Sequence, residues 1–426
     1  MFNVRYVASA CLVISTSDVR ILCDPWFTDG IYDGSWYTYP KVSNPIELIG
    51  DVDCIYISHI HPDHYDPTFL RSYFYRYGDK PLLIPNHFPN HLFRKAILDG
   101  FQPTVIESKD VGDTAISIVP NSTGSASDID SALVVSRDGI SFLNLNDNIF
   151  NQRQNQTIKA LLKDLRFAAI GYSSAGPYPQ TYFSDLEALL EESKGQKERA
   201  VQKFLTYLNE FQPKAALPFA GQYLLGGRLH TLNKFRGCPD AVELLPLDER
   251  VIVLSDNSSS YYDLERQQAV GSVRVAPLSE EDLSARTSDI CDAMMSYETE
   301  LSIDLSRLPI ENFLRSAYLR AHDKSECNVP YYFFIQTSPG TAGWLLSADR
   351  NSKHFEAMEE STAIEFAQTQ SATLSILTID FRLLFGLTSG IYHWNNAEIG
   401  SQYLTRRIPN LHNRAAQRFL NFLRVI

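Results

Sequence analysis

The chain reads as a mixed α/β protein, with a larger N-terminal domain and a smaller C-terminal α+β domain. Three observations carry that reading. Its 426 residues exceed what one core usually organises. Short apolar runs bounded by Ser, Asp and Gly alternate with longer helix-period stretches up to about residue 218. From about residue 266 the composition shifts, and a second set of strands and helices begins. The expected division is a domain over residues 1–265, a linker with a helix over 266–305, and a second domain over 306–426.

Taken in order, residues 3–8, 10–15 and 19–23 alternate or run apolar and predict an antiparallel meander. It ends in Asp24-Pro25-Trp26. Pro25 holds the preceding residue extended, so Asp24 projects from a strand end. An aromatic loop follows, with Trp26, Phe27, Tyr32, Trp36, Tyr37 and Tyr39, suited to roofing a pocket or to packing a long loop. Cys54-Ile55-Tyr56-Ile57 reads as a buried strand, 67–77 and 87–98 as helices, and 80–84 as a strand. Strands are expected at 114–119, 131–135, 140–145 and 214–218, and helices at 155–164 and 182–211. The charges of the last helix suit a solvated face. Beyond the linker, strands are expected at 331–336, 342–347, 363–367 and 373–378, with helices at 380–387 and 412–423.

Composition narrows the function classes. The chain is 44 % hydrophobic, 12 % aromatic and 21 % charged, which supports packed cores and excludes a mostly disordered polymer. A net charge of −12 disfavours a nucleic-acid or anionic-membrane surface, while leaving room for one local basic pocket. No apolar run approaches the roughly 20 residues that span a bilayer, and the first residues lack the charged-then-apolar pattern of a secretory leader. Six scattered Cys form no CxxC pair, and Cys11, Cys23, Cys54 and Cys291 lie in or beside apolar or helical segments. That suits buried thiols in a reducing cytoplasm, so a cytoplasmic protein is expected.

The chemistry concentrates in Ser58-His59-Ile60-His61-Pro62-Asp63-His64. Three imidazoles and a carboxylate at a strand's end have little reason to be packing residues. Neutral imidazole is the commonest protein ligand for transition metals, and carboxylate adds a harder oxygen. On an extended segment His59 and His61 point the same way. Once the chain turns at Pro62, Asp63 and His64 can face a second metal beside the first. Asp24 suits a supporting acid that holds a ligating His in its tautomer. His87 and His91, four apart, have ligand-like spacing on a segment that also has an apolar face.

His59, His61, Asp63 and His64 match the HxHxDH signature, and the chain here resembles the metallo-β-lactamase superfamily. The resemblance implies an αββα sandwich with metals at the edge of two sheets. It implies one metal on His59 and His61 and a second on Asp63 and His64. Asp147, at the end of the apolar strand Ile140-Ser141-Phe142-Leu143, fits the superfamily's metal-bridging acid. His230, in Gly226-Gly227-Arg228-Leu229-His230, is the candidate downstream imidazole, and Arg228 beside it could pair a substrate carboxylate or phosphate. The superfamily also places a His before the 131–135 strand. Residues 120–130 contain none, so the first site lacks an imidazole unless Asp128, Asp130, His87 or water substitutes.

Further segments resemble the cytidine monophosphate-N-acetylneuraminic acid hydroxylase family without its iron–sulfur part. They are the Asp24-Pro25-Trp26 run, the HxHxDH, Leu143–Asp147, Ser173–Gly176, Pro218–Gly221 with His230, and Tyr392–Gly400. No Cys is followed two or three residues later by His, as a Rieske module's ligand pairs require. The C-terminal domain has some likeness to sterol-carrier-type folds. Three functions stay open. One is a metal-dependent hydrolase acting on a phosphoryl or acyl centre, with Asp63 and Arg228 assisting. Another is a di-iron oxygenase of a nucleotide-sugar-like metabolite with an external redox partner. The third is a metal-depleted binding scaffold. The expected cofactor is one or two divalent ions (zinc, iron or manganese), and the expected substrate is small and polar or anionic.

Overall fold

A computed structural model describes residues 1–122, 128–173, 175–301 and 307–425. The middle of the loop read as lacking an imidazole (123–127), Ser174, and the end of the expected linker lie outside the described residues.

The meander forms as expected, over Phe2–Ala8, Cys11–Thr16 and Arg20–Cys23, with Val4 opposite Ile14 and Ile14 opposite Ile21. Because side chains alternate along a strand, Leu12 and Ile14 point to one core while Cys11 and Val13 point to another. Both faces of this sheet are therefore buried. Cys54–Tyr56, Leu82–Ile84 and Pro103–Val105 continue it in parallel, and Tyr261–Asp263 with Gln268–Val270 on the other edge bring it to eight strands. A second, six-stranded sheet runs from Ala215–Phe219 through Asp164–Gly171, Ile140–Asn144, Ser131–Arg137 and Thr114–Pro120 to Ser108–Val111. Inward residues of both sheets, among them Val4, Ile21, Ile118, Leu133, Phe142 and Phe167, form the core between them. Helices Pro67–Tyr77 and His91–Leu98 cover the outer face of the first sheet, and Gln152–Leu161 and Leu186–Phe211 that of the second. The layers are αββα.

The strands that matter most are the parallel ones. Arg20–Cys23 and Cys54–Tyr56 end on Asp24 and on Ser58-His59, while Ile140–Asn144 ends on Asp147. In parallel sheets ligands gather outside the carboxyl ends of the strands, and both sheets deliver theirs to one rim.

The C-terminal unit is a five-stranded sheet in the order Phe355–Glu359, Ala342–Ser347, Tyr331–Gln336, Thr373–Thr378, Leu404–Ile408. One of its cores takes in Trp26, Tyr32, Trp36, Tyr223, Leu225 and Leu229 from the N-terminal half alongside Trp394, Tyr403 and Phe419. The aromatic loop is thus packed between the two units. Strand Tyr261–Asp263 pairs with Gln268–Val270 across the expected 265/266 division, carrying the first sheet onward to Val270. The connecting helix is Glu280–Ile290.

Several elements differ from expectation, and the helix Ile310–Asp323 and strand Leu404–Ile408 are among those not expected. Residues 363–367 are part of a helix, Glu360–Thr369, in which Ala363 and Ala367 lie four apart and bury one face, a helical period that outweighs the β-branched Ile364. Asp164–Gly171 is a strand that the sequence reading passed over. Its Ala168 and Ala169 favour helix alone, but here they are buried between parallel neighbours, where tertiary context overrides propensity. The helix expected at 87–98 starts at His91, so His87 precedes it. Among the described residues no helix is long and apolar enough to cross a membrane. All six cysteines are unpaired; Cys11, Cys23, Cys54 and Cys327 are buried, and Cys291 is only half-buried.

Candidate metal centre

Each of the three motif imidazoles has its outer nitrogen against an oxygen. His64 Nδ1 lies 3.0 Å from Asp24 Oδ2, and His59 Nδ1 lies 2.9 Å from Ser58 Oγ and 3.3 Å from Asp130 Oδ1. His61 Nε2 lies 3.2 Å from Asn395 Oδ1. An acceptor at one ring nitrogen fixes the proton there and leaves the other's lone pair free. The free nitrogens converge, His59 Nε2 and His61 Nδ1 being 2.8 Å apart. His64 Nε2 lies 3.4 Å from Asp147 Oδ2 and 3.6 Å from Asp63 Oδ2. His59, His64 and Asp147 each place a donor atom within 4.8 Å of the others, so one cation can reach all three.

Local structure explains the placement. Asp24 is fully buried at φ 42, left-handed rather than extended as expected before Pro25, a conformation that Asp tolerates, and its Oδ1 accepts the Ser58 amide at 2.7 Å. One carboxylate thus fixes both the motif's backbone and its last imidazole. Asn146, at φ 49, donates from Nδ2 to Tyr56 Oη and to the Ser131 carbonyl, which turns the next residue, Asp147, into the rim. Tyr32 is also left-handed (φ 51, ψ 54) and donates its hydroxyl to Asp63 Oδ1 at 2.6 Å. Strained backbone of this kind persists where the surroundings over-determine it. Here Gln402 Nε2 holds the Tyr32 carbonyl at 2.5 Å.

Charge follows geometry. Burial, then His59, pushes His61 down to about 4, so it is a neutral donor at physiological pH. Burial opposes a charge on His64, yet Asp147, Asp63 and Asp24 together carry it well above the usual imidazole range. Burial would likewise raise Asp147, and His64 outweighs it to hold the carboxyl below the usual range. A cation taken up at His64 Nε2 would compete with a proton there. Tyr32 is raised, by burial first and Asp63 next, and stays a phenol donor.

Asp130, from the loop that lacks the expected imidazole, stands at the outer nitrogen of His59. One carboxylate oxygen faces His59, and the other is buried without a hydrogen-bond partner among the described residues. His87 is drawn to Asp130 from outside, its Nε2 lying 3.0 Å from the Asp130 carbonyl. With imidazoles, carboxylates and an orphaned acid oxygen at one rim, the donors fit a divalent transition-metal ion.

Residues 3–161 match the profile of a family described as "Beta-lactamase superfamily domain". Over these residues the chain is of the metallo-β-lactamase superfamily. A Rieske 2Fe-2S iron-sulfur protein of Mycolicibacterium smegmatis, assigned that name only provisionally, is 28 % identical over 56 % of this chain and 47 % of its own length. The inactive cytidine monophosphate-N-acetylneuraminic acid hydroxylase of Homo sapiens is 26 % identical over 52 % of this chain and 45 % of its own. The chain thus spans about half the length of these relatives. Among solved structures, Igni18, a metallo hydrolase from Ignicoccus hospitalis, covers 62 % of this chain and 98 % of its own at 16 % identity and a TM-score of 0.41.

The superfamily domain does not gather every expected residue. His59, His61, Asp63 and Asp147 line one cavity of about 450 Å³ with Tyr32, Asp130 and Lys203, and His64 lies behind them. His230 and Arg228 are not among its lining residues. His230 Nδ1 faces the Gly227 carbonyl at 2.9 Å, and Arg228 donates to Tyr297 Oη and to the Gln402 carbonyl. The reason is local. Gly227 sits at φ +54, where an added Cβ would strike the Ala293 carbonyl, and one on Gly226 would strike the Tyr37 ring, so both glycines serve close packing. Expected to steady substrate charge, Arg228 instead ties the 3₁₀ helix Gly227–Phe235 to the C-terminal unit. Lys203 is not on a wholly solvated face as the helix's charges suggest, because it lines the cavity, and Asn395 meets His61, a role nothing local marks in a distant Asn.

Proposed function

We propose that this chain is a metal-dependent hydrolase acting on a phosphoryl or acyl centre of a small polar or anionic metabolite. One observation carries the reading: three imidazoles each have their outer nitrogen on an oxygen, the free nitrogens of His59 and His61 meet, and that of His64 faces Asp63 and Asp147, at an accessible cavity. His59, His61, His64, Asp63 and Asp147 would hold one or two divalent ions, with Asp24, Ser58 and Asn395 supporting the imidazoles. A bound divalent ion supplies Lewis acidity and lowers the pKa of its water to about 7.

The chain's own groups do the rest. Tyr32 fixes one oxygen of Asp63 and leaves the other to accept a proton as water attacks. Trp36 stacks on Tyr223 with ring centroids 3.4 Å apart, giving the cavity a flat aromatic wall that excludes water.

A second reading, a di-iron oxygenase with an external electron donor, draws on the hydroxylase and Rieske names of the relatives and on the carboxylate-rich donor set, which suits iron. None of the six cysteines offers the CxH or CxxH spacing, so this chain's residues supply no Rieske ligands of their own. Hydrolysis needs no such donor. Free thiols and the absence of an apolar spanning helix among the described residues support a cytoplasmic setting.

The test is elemental analysis of protein purified without added metal, joined to turnover of p-nitrophenyl phosphate and ester substrates. Zinc or manganese with turnover that Asp63→Asn abolishes supports the hydrolase. Two irons with a visible charge-transfer band and no hydrolysis would move the assignment to the oxygenase.

A further inference from the structure

The long helix Leu186–Phe211 does more than cover the second sheet. Gln196, Arg199, Ala200 and Lys203, spaced i, i+3, i+4 and i+7, form one helical face, and all four line the cavity that Asp63, Asp130 and Asp147 also line. Ala200 is the small residue between the cations and keeps the path open. Lys203 has no carboxylate within 4.0 Å and no hydrogen-bond partner among the described residues. Lys197, on the same helix, is by contrast closed by Glu243 at 2.6 Å.

Burial pushes the Lys203 ammonium down, and Asp147 and Asp130 offset part of that. A partly desolvated ammonium with unfilled donors is costly unless something anionic meets it. The metal-site carboxylates do not do so by contact. At the rim, Arg199 lies 2.9 Å from Gln196 Oε1 and 3.4 Å from Glu192, a loose arrangement that a stronger acceptor can displace. The cavity volume, about 450 Å³, suits a small metabolite.

We propose that Lys203, with Arg199 at the rim, is an oxyanion subsite that binds a phosphate or carboxylate of the substrate and sets its reacting centre against Asp63 and Asp147. This deepens the hydrolase reading by naming the substrate class, and it rests on that reading for the reacting centre. Neutral analogues of equal size bind poorly, because they leave the ammonium unpaired.

The experiment is a calorimetric titration of inorganic phosphate, and separately of acetate, into metal-loaded and chelator-stripped protein. Wild type is compared with K203M, K203R and R199Q, each checked for folding by circular dichroism. Removing a charge-assisted partner is expected to weaken phosphate about 10-fold or more in K203M, about 3-fold in R199Q, and little in K203R. Metal content stays unchanged throughout. Acetate responding in the same way makes the subsite one for oxyanions generally; phosphate alone responding assigns it to phosphoryl groups. Equal phosphate affinity in wild type and K203M, or no phosphate binding to metal-loaded wild type, overturns the proposal. Lys203-dependent binding in protein that takes up no metal would sustain the subsite and sink the metallohydrolase. Metal uptake with phosphate affinity indifferent to Lys203 would do the reverse.

Discussion

Two segments looked ligand-bearing in the sequence, His59–His64 and Gly226–His230, and only the first converges. Both place imidazole beside flexible or turning backbone near a strand end. They differ in what stands behind the rings. Behind His59 and His64 are Ser58, Asp24 and Asp130, with both rings about 1 % exposed. Behind His230 is its own helix's carbonyl. A ring whose outer nitrogen is held by a distant part of the chain is aimed; a ring held by its own turn is not.

That contrast is broken most directly by removing one ring from each segment. His64→Ala is expected to weaken divalent-metal binding by about 100-fold or more, while His230→Ala leaves it within about 2-fold. Titration of zinc or manganese against a competing chelator reads both. Equal losses would erase the distinction.

The next effect is on stability against pH in the metal-free protein. His61 and His393 are both pushed down to about 4, chiefly by burial. Between roughly pH 6.5 and 4 the unfolded chain therefore binds more protons than the folded one, and stability falls as pH drops through that window. His64, raised in the folded state, acts with the opposite sign. It stabilises fully below about pH 6.5 and loses that contribution as pH rises through its folded value. Urea unfolding at pH 7 and pH 4.5 should differ by up to about 3 kcal/mol for each depressed imidazole. His393→Asn, which keeps a capping side chain, should remove the His393 share. A flat profile would show that these rings are not buried neutral.

Smaller effects come from the supporting groups. Asp24→Asn keeps the contact with the Ser58 amide but offers His64 a poorer acceptor, and should cost about 10-fold to 100-fold in metal affinity. Asn395→Leu tests whether the C-terminal unit belongs to the site through His61. The expected loss is about 10-fold, at the low end because this contact is long at 3.2 Å. An unchanged affinity would confine the metal centre to the superfamily domain.

How legible was this in the sequence? The meander, the strand before the motif and the long helix carry strong periodicity, and each formed close to its expected place. Asp24, Asp147 and the motif share the mark of a polar residue closing an apolar parallel strand. The strand Asp164–Gly171 was hidden because Ala168 and Ala169 reveal their role only between neighbours. The helix Glu360–Thr369 was misread as a strand from five residues, too few to separate a period of two from one near four. Asn395, Gln402 and Lys203 could not be read locally. Their roles exist only where the C-terminal unit and the long helix meet the rim. The close approach at Gly226-Gly227 is to Tyr37 and Ala293, neither of which the local sequence points to.

The central claim is that imidazoles and carboxylates carried on both sheets hold a divalent ion at one rim. X-ray absorption spectroscopy on protein purified without added metal, with metal quantified on the same sample, tests it most directly. The account predicts about one to two equivalents of a divalent ion with only nitrogen and oxygen in the first shell and clear imidazole scattering. Less than about a tenth of an equivalent, or a shell containing sulfur from any of the six cysteines, would contradict it.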